Sequence, residues 1–287
     1  MKIRRIIYTI FFVLVLASVF VFTLERERGL LEIYFLDIGQ GDAVYIRTPG
    51  GHDMLIDGGP SRIILQKLSE VMPFYDRSID VVIETHPDAD HIGGLPSVLE
   101  RYRIGLFIEP GINSKNVIDD ELHRLRAEKD IPSKLARRGM IINFGDGSHF
   151  DILYPDTNVS GFKNTNDASI VGQMKYGSTT IMLTGDSPKK IENYLIGMDG
   201  EFLKSDVLKA GHHGSHTSSG EKYVKAVAPQ YVVISAGKKN RYGHPHADVL
   251  KIFEKLGIQI IRTDREGTIK FVSDGKSIST KVLLYKK

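Results

Sequence analysis

The sequence predicts one α/β domain of αββα architecture, two sheets between helical layers, preceded by a single apolar N-terminal helix. Three observations predict it. Short apolar runs of strand length alternate with segments whose apolar residues recur at helical spacing. The runs end repeatedly in short Gly/Asp/His loops that open into helical segments, as α/β units do. After residue 30 there is no linker-like change of composition, no low complexity and no heptad, so one domain fits better than two. At 287 residues and 41% hydrophobic, the chain is long enough for a large core. The expected boundaries are 1–28 for the N-terminal helix and 29–287 for the domain.

Ile6 to Leu24 is apolar except for Tyr8, Thr9, Ser18 and Thr23. As a helix rising about 1.5 Å per residue it reaches across a hydrocarbon core of ~30 Å. Lys2, Arg4 and Arg5 precede it, and Glu25-Arg26-Glu27-Arg28, with no net charge, follows. The positive-inside rule then predicts a single-pass cell-membrane protein with its domain extracellular. The alternative is a cleaved signal peptide, with Ala17 before the cut, and a secreted domain. A segment apolar all round at the extreme terminus argues against a buried core helix.

The net charge of +3 belongs to the same segment: five of the 38 basic and two of the 35 acidic residues lie within 1–28, so the remainder is neutral. No global basic field attracts nucleic acid, although Lys134/Arg137/Arg138 and Lys238/Lys239/Arg241 form local patches. The absence of cysteine excludes disulfides, thiolate metal sites and cysteine nucleophiles.

Leu31–Leu36, Ala43–Arg47 and Met54–Ile56, separated by glycine turns, predict an antiparallel meander. Apolar spacing predicts a helix over Ile63–Met72, and Ile79–Ile83 reads as a buried strand. An amphipathic helix is expected at Leu95–Tyr102, a strand at Ile104–Ile108 and a helix at Val117–Lys129. Lys134–Gly139 reads as a basic stretch before strands at Met140–Phe144 and Phe150–Tyr154, and the polar 155–167 segment as a loop. Strands follow at Ser169–Tyr176, Thr180–Leu183, Ser205–Lys209 and Tyr231–Ser235. Helices are expected from Pro188, which suits a first turn, to Ile196, over Ser219–Val227 and over Ala247–Leu256. Three terminal strands, Ile258–Arg262, Thr268–Val272 and Ser277–Leu284, close the domain.

The chemistry concentrates in His86-Pro87-Asp88-Ala89-Asp90-His91, between the Ile79 strand and Gly93-Gly94. A lone Asp or His in a loop is usually a cap or a solvated residue. Two carboxylates and two imidazoles after a buried strand are costly to hold together without a cation. Imidazole and carboxylate suit zinc, manganese or iron. Similar strand-end loops recur at Asp57, Asp186 and His212-His213, and a packed sheet brings such ends to one rim. A centre for two divalent ions needs about four ligands per ion, often with a bridging carboxylate. His86, Asp88, Asp90, His91, Asp186 and one of His212/His213 supply them. Thr184-Gly185-Asp186-Ser187-Pro188 alone also reads as a plain helix start. His216, His244 and His246 are weaker candidates, with a cap or surface role as the alternative, and His52, His123 and His149 read as surface residues.

His86–Gly94 resembles the H-x-[HD]-x-D-H loop of the metallo-β-lactamase-fold hydrolases. Asp57-Gly58-Gly59, Leu183-Thr184-Gly185-Asp186 and Gly211-His212-His213-Gly214-Ser215 follow in that family's order. More narrowly, Phe35–Asp42, Asp88 and Tyr242-Gly243-His244-Pro245-His246 resemble the extracellular hydrolase domain of the competence protein that forms the DNA-uptake channel. The channel's multi-span region has no counterpart here, so DNA transport is not implied. The resemblance implies an αββα metallo-β-lactamase sandwich. It implies that His86 and Asp88 bind a first metal, that Asp90 and His91 bind a second, and that Asp186 bridges. His212 or His213 completes the second site, and Asp57 is structural. The wider family has a histidine in the loop before the Asp186 strand. Here Asn164–Ser169 has none, which leaves Asn166, Asp167 or water for that place and favours manganese over zinc at the first site.

The expected function is a surface-anchored metal-dependent hydrolase working through a metal-bound hydroxide, a phosphodiesterase or nuclease with single-stranded DNA as a candidate substrate. Asp90 and His244 are the expected catalytic residues, and Asn240 and Lys238 share a loop with His244 suited to a phosphate. A hydrolase of cell-envelope phosphodiesters, such as teichoic acid, is the second enzymatic reading. A non-catalytic surface binding module is the reading from another class; intact Asp90, His91 and Asp186 argue against it.

Overall fold

The computed structural model describes residues 2–27, 29–112 and 114–283, with side chains for 4–18, 29–112 and 114–281. Helix α1 (Lys2–Glu27) leads into the domain. Its large apolar side chains between Ile6 and Leu16 are all exposed. Among the described residues no helix is long and apolar enough to cross a membrane. The stretch expected to do so runs on to Leu24, and its side chains from residue 19 lie outside those described.

The domain opens with the expected meander: β1 (Leu31–Phe35), β2 (Val44–Arg47) and β3 (Asp53–Ile56). Helix α2 (Ile63–Val71) crosses to β4 (Ser78–Ile83), which is parallel to β3. Two short helices, α3 (Ala89–Ile92) and α4 (Leu95–Arg101), return to β5 (Arg103–Glu109), and α5 (Val117–Glu128) leads to β6 (Ser133–Leu135). The second sheet holds β7 (Ile141–Asn143), β8 (Ser148–Tyr154), β9 (Val171–Tyr176) and β10 (Thr179–Leu183). After α6 (Lys189–Asp199) come β11 (Val207–Lys209), α7 (Glu221–Val227), β12 (Tyr231–Ile234), α8 (Ala247–Lys255) and β13 (Gln259–Arg262). The single turn α9 (Thr263–Glu266) returns the chain to the first sheet as β14 (Thr268–Ser273) and β15 (Ile278–Leu283). The strand orders are β15-β14-β1-β2-β3-β4-β5-β6 and β13-β12-β11-β10-β9-β8-β7.

Both faces of each sheet are covered, so the central strands are apolar on both sides rather than alternating. In β1, Leu31, Ile33 and Phe35 enter the core between the sheets, whereas Tyr34 packs outward among the residues under α2, α4 and α5. In the second sheet, Phe150 and Ile152 face inward, while Met182, Leu208 and Val232 meet Leu195, Val224 and Phe253 of the helices. Phe271 joins the layers: its ring lies edge-on to Phe35 of its own sheet at 6.0 Å and to Tyr231 of the other at 5.4 Å.

Three elements differ from expectation. Ser133–Leu135, which overlaps the basic stretch, is an edge strand with all three residues exposed, made by pairing with β5 rather than by its own pattern. Ala89–Ile92 coils into a helical turn, so Asp90 and His91 sit on α3 rather than in an open loop. Pro188 is the N-cap of α6 rather than a residue of its first turn. Truncating Phe271→Ala is expected to lower stability by about 3–5 kcal/mol, the usual result for a buried aromatic ring, read from urea unfolding followed by far-UV circular dichroism.

Candidate metal centre

The strands β1, β3 and β4 of the first sheet and β10, β11 and β12 of the second end at one rim, where the side chains converge. Asp57, just past β3, takes up a left-handed backbone at φ 59°. From there its carboxylate accepts from the Thr85 amide at 2.8 Å and the Thr85 hydroxyl at 2.7 Å, and lies 2.8 Å from His91 Nδ1. The Thr85 hydroxyl has one proton, which it gives to Asp57. Its contact with His86 Nδ1 at 3.0 Å must therefore be a bond received from the ring, which leaves His86 Nε2 as a bare acceptor.

The same logic holds across the rim. His213 Nδ1 donates to the Ser235 carbonyl at 3.0 Å. Thr217 gives its proton to Ser215, so it receives His212 Nδ1–H at 3.0 Å. His91 Nδ1 is held by Asp57. All four imidazoles are thus tied at Nδ1 and present Nε2 to the same space, the arrangement by which partners behind metal-ligating histidines orient them.

The carboxylates complete the cluster. Asp186 Oδ1 is 3.3 Å from His91 Nε2, and its Oδ2 is 3.5 Å from His212 Nε2 and 3.6 Å from His213 Nε2. Asp90 Oδ2 is 3.2 Å from His213 Nε2, and Asp88 Oδ2 is 3.7 Å from His86 Nε2. His86 with His91 and Asp186, and Asp90 with His91 and His213, form two sets of ligand atoms close enough for one ion each. His86 Nε2, His91 Nε2 and Asp186 Oδ1 are buried without a hydrogen-bond partner. Buried polar atoms left so are rare in proteins, and a divalent cation is the group their chemistry fits.

The electrostatics agree. Burial opposes the charge on His91, but Asp186 and Asp57 outweigh it and hold its pKa well above the ordinary range. His213, also buried, is raised to about 9 by Asp186 and Asp42. Burial, with His91 beside it, lowers His86 to about 3. Asp186, despite its burial, lies far below the usual carboxylate range because His213 and His91 face it. Without a cation, protons on His91 and His213 supply the positive charge that the carboxylates require.

Two residues assigned no role from sequence sit beneath the cluster. Asp42 is 2% exposed and ion-paired with Lys209, itself 2% exposed. The Lys209 ammonium also donates to the carbonyls of Gly185 at 3.0 Å and Ala210 at 3.2 Å, so its three protons are used and it braces the turn that carries Asp186. Burial works to raise the Asp42 pKa, but Lys209, His213 and His91 bring it far below normal. Gly41 permits this approach: at φ 128°, a Cβ there would lie 2.0 Å from the Asp90 carbonyl. A lysine closing an apolar run just before Gly-His-His was the available signal for Lys209.

The remaining candidates divide. In the histidine-free loop, Thr165 donates to Asp88 at 2.5 Å. Asp167 instead pairs with Lys190, and Asn166 contributes a main-chain amide to an Asn164 cap. The His244 ring lies 5.4 Å from His212 and 6.1 Å from His213. Asn240 holds that loop, donating to the Gly237 and His244 carbonyls and accepting from the His244 amide. Lys238 is exposed at its edge. The His216 and His246 rings lie 4.7 Å apart at a tilt of 44° beyond His244.

The family model described as Metallo-beta-lactamase superfamily matches residues 36–238. The chain is 30% identical over 274 residues to ComE operon protein 3 of Bacillus subtilis (strain 168), covering 90% of this chain and 34% of that protein. It is 33% identical over 241 residues to Competence protein ComA of Neisseria gonorrhoeae, covering 82% and 31%. It therefore spans about a third of the length of these curated relatives. The solved metallo-beta-lactamase fold protein YhfI from Bacillus subtilis is similar with a TM-score of 0.58 at 12% identity, over 85% of this chain and 99% of that one, a likeness of fold.

Asp57→Asn removes one of the charged oxygens that orient His91 and Thr85. It is expected to weaken divalent-metal affinity by about 10–100-fold, measured by competition with a chromogenic chelator. Unchanged affinity in a folded variant rules out the orienting role of Asp57.

Proposed function

The chain belongs to the metallo-beta-lactamase superfamily, and from that premise we propose that it is a metal-dependent phosphodiesterase using two divalent cations, zinc or manganese, with single-stranded DNA as its polymeric substrate. The convergence of four imidazole Nε2 atoms on Asp186, with Asp90 and Asp88 at the open side, carries the metal reading. His86, Asp88 and Asp186 would hold the first cation; Asp90, His91, His213 and Asp186 would hold the second. His213 is chosen over His212 because it is buried and lies against Asp90 as well as Asp186. A bound cation pair supplies Lewis-acid activation of water and neutralises charge on the scissile group.

Several features support a phosphodiester rather than a β-lactam. The first site has a carboxylate, Asp88, backed by a neutral hydroxyl, Thr165, which makes it rich in oxygen. One relative is named Competence protein ComA, and the hydrolase domain of a DNA-uptake channel is the specific resemblance carried by Phe35–Asp42 and Tyr242–His246. Burial and the surrounding His213, His212 and His246 lower the His244 pKa to about 4. At neutral pH its ring is uncharged and serves as a hydrogen-bond donor to substrate, with Lys238 at the loop edge as the positive charge. The exposed apolar side chains of α1 support its role in holding the domain to a membrane surface.

A substrate panel tests this reading: bis-p-nitrophenyl phosphate, a single-stranded oligonucleotide and a β-lactam, each with zinc or manganese. Phosphodiester and oligonucleotide cleavage that chelator abolishes is the expected result. Asp186→Ala is expected to lower kcat by about a thousandfold, several kcal/mol of transition-state stabilisation. Turnover of the β-lactam alone would overturn the phosphodiester assignment, and no turnover of any substrate by the metal-loaded chain would overturn the enzymatic one.

A further inference from the structure

Hydrolysis uses one end of the strands; the other end carries a surface of its own. β1, β3, β4 and β5 all begin at the edge of the sheet opposite the metal rim, at Leu31, Asp53, Ser78 and Arg103. Just before β4, Phe74 and Tyr75 are 86% and 68% exposed, with their rings edge-to-face at 5.4 Å. Exposed Phe-Tyr pairs in a water-facing turn forfeit apolar burial that a soluble turn has no reason to give up. Basic residues follow at the same end of the sheet, with Asp76 between the aromatic pair and Arg77. Arg103 pairs in register with Ser78, and Arg77 and Arg101 line one cavity of about 460 Å³. Arg101, Arg103 and Lys129 line an adjoining one of about 310 Å³. Glu100 is the single carboxylate lining either cavity, in a domain whose charges otherwise balance. Lys129 donates to the Leu99 and Glu100 carbonyls, which fixes its ammonium at the end of α4.

The chain arrives at this same edge from α1, entering β1 at Leu31. β4 is three strands from β1, about 15 Å at the usual spacing. We propose that this end of the domain is a bilayer-docking face: Phe74 and Tyr75 enter the interfacial layer, and Arg77, Arg101, Arg103 and Lys129 bind anionic phospholipid headgroups. The metal rim then points away from the membrane, open to a polymer arriving from solution. Aromatic rings and long basic side chains are the residues that settle at a bilayer interface. The position favours lipid over nucleic acid, because a strand bound here lies at the far end of the sheet from the cleavage chemistry. The inference rests on α1 bringing the chain to a membrane, not on the reaction.

The chain has no tryptophan, so Phe74→Trp creates a single fluorescent reporter within the full-length protein. Co-sedimentation first shows whether the chain binds vesicles at all; failure there removes the membrane reading of α1 together with this one. With vesicles of phosphatidylglycerol and phosphatidylcholine, the emission is expected to shift to the blue and be quenched by brominated acyl chains. With phosphatidylcholine alone the shift is expected to be smaller. Arg101→Glu with Arg103→Glu is expected to return the emission to its value in buffer while the chain stays on the vesicles. Unshifted emission from chain that co-sediments overturns the docking face. So does an emission change produced by a single-stranded oligonucleotide but not by lipid.

Discussion

The site depends on one carboxylate that does not itself face the centre. Asp57 binds the Thr85 amide, the Thr85 hydroxyl and His91 Nδ1. Because Thr85 then has no proton left to give, His86 must donate to it. One side chain thereby sets the direction of two imidazoles from different turns of the loop. The cost is a strained backbone at Asp57, and His212 and His213 also hold left-handed conformations, at φ 49° and 55°. Non-glycine residues in that region cost of order 1 kcal/mol or more each, and they concentrate where a side chain must be aimed rather than where a chain must merely turn.

The αββα fold makes this affordable. Two sheets with helices outside them bury every central strand on both faces, which gives a rigid frame whose loops meet at one rim. Charge at that rim is then balanced in two tiers. Lys209 neutralises Asp42 permanently and braces the Asp186 turn. Of the other carboxylates, Asp186 and Asp90 are left facing imidazoles whose protonation is conditional. Burial and His91 keep His86 neutral, whereas Asp186 holds protons on His91 and His213. A cation displaces those protons, so metal binding and proton release are linked.

Much of this was legible in the sequence because the physics is local. Strands buried on both faces are plain apolar runs, and four potential ligands within six residues stand out against any loop composition. The meander, the order of the later strands and the convergence of Asp57, His86–His91, Asp186 and His212-His213 follow from those patterns. What was not legible is made by pairing. Ser133–Leu135 is a strand only because β5 lies beside it. Asp42 and Lys209 are remote in the chain, and neither looks buried until its partner is known. Asp167 reads as a spare ligand in its loop, and only the fold shows Lys190 taking its carboxylate and Thr165 reaching Asp88 in its place.

The most direct measurement is calorimetric titration of the metal-free chain with zinc or manganese near pH 7.5, repeated in buffers of different ionisation enthalpy. The stoichiometry gives the number of cations, and the buffer dependence gives the protons released. Saturable uptake of two cations per chain with net proton release is the result predicted by four imidazoles aimed at Asp186, two of them protonated until a cation arrives. The absence of saturable binding, or binding without proton release, contradicts it.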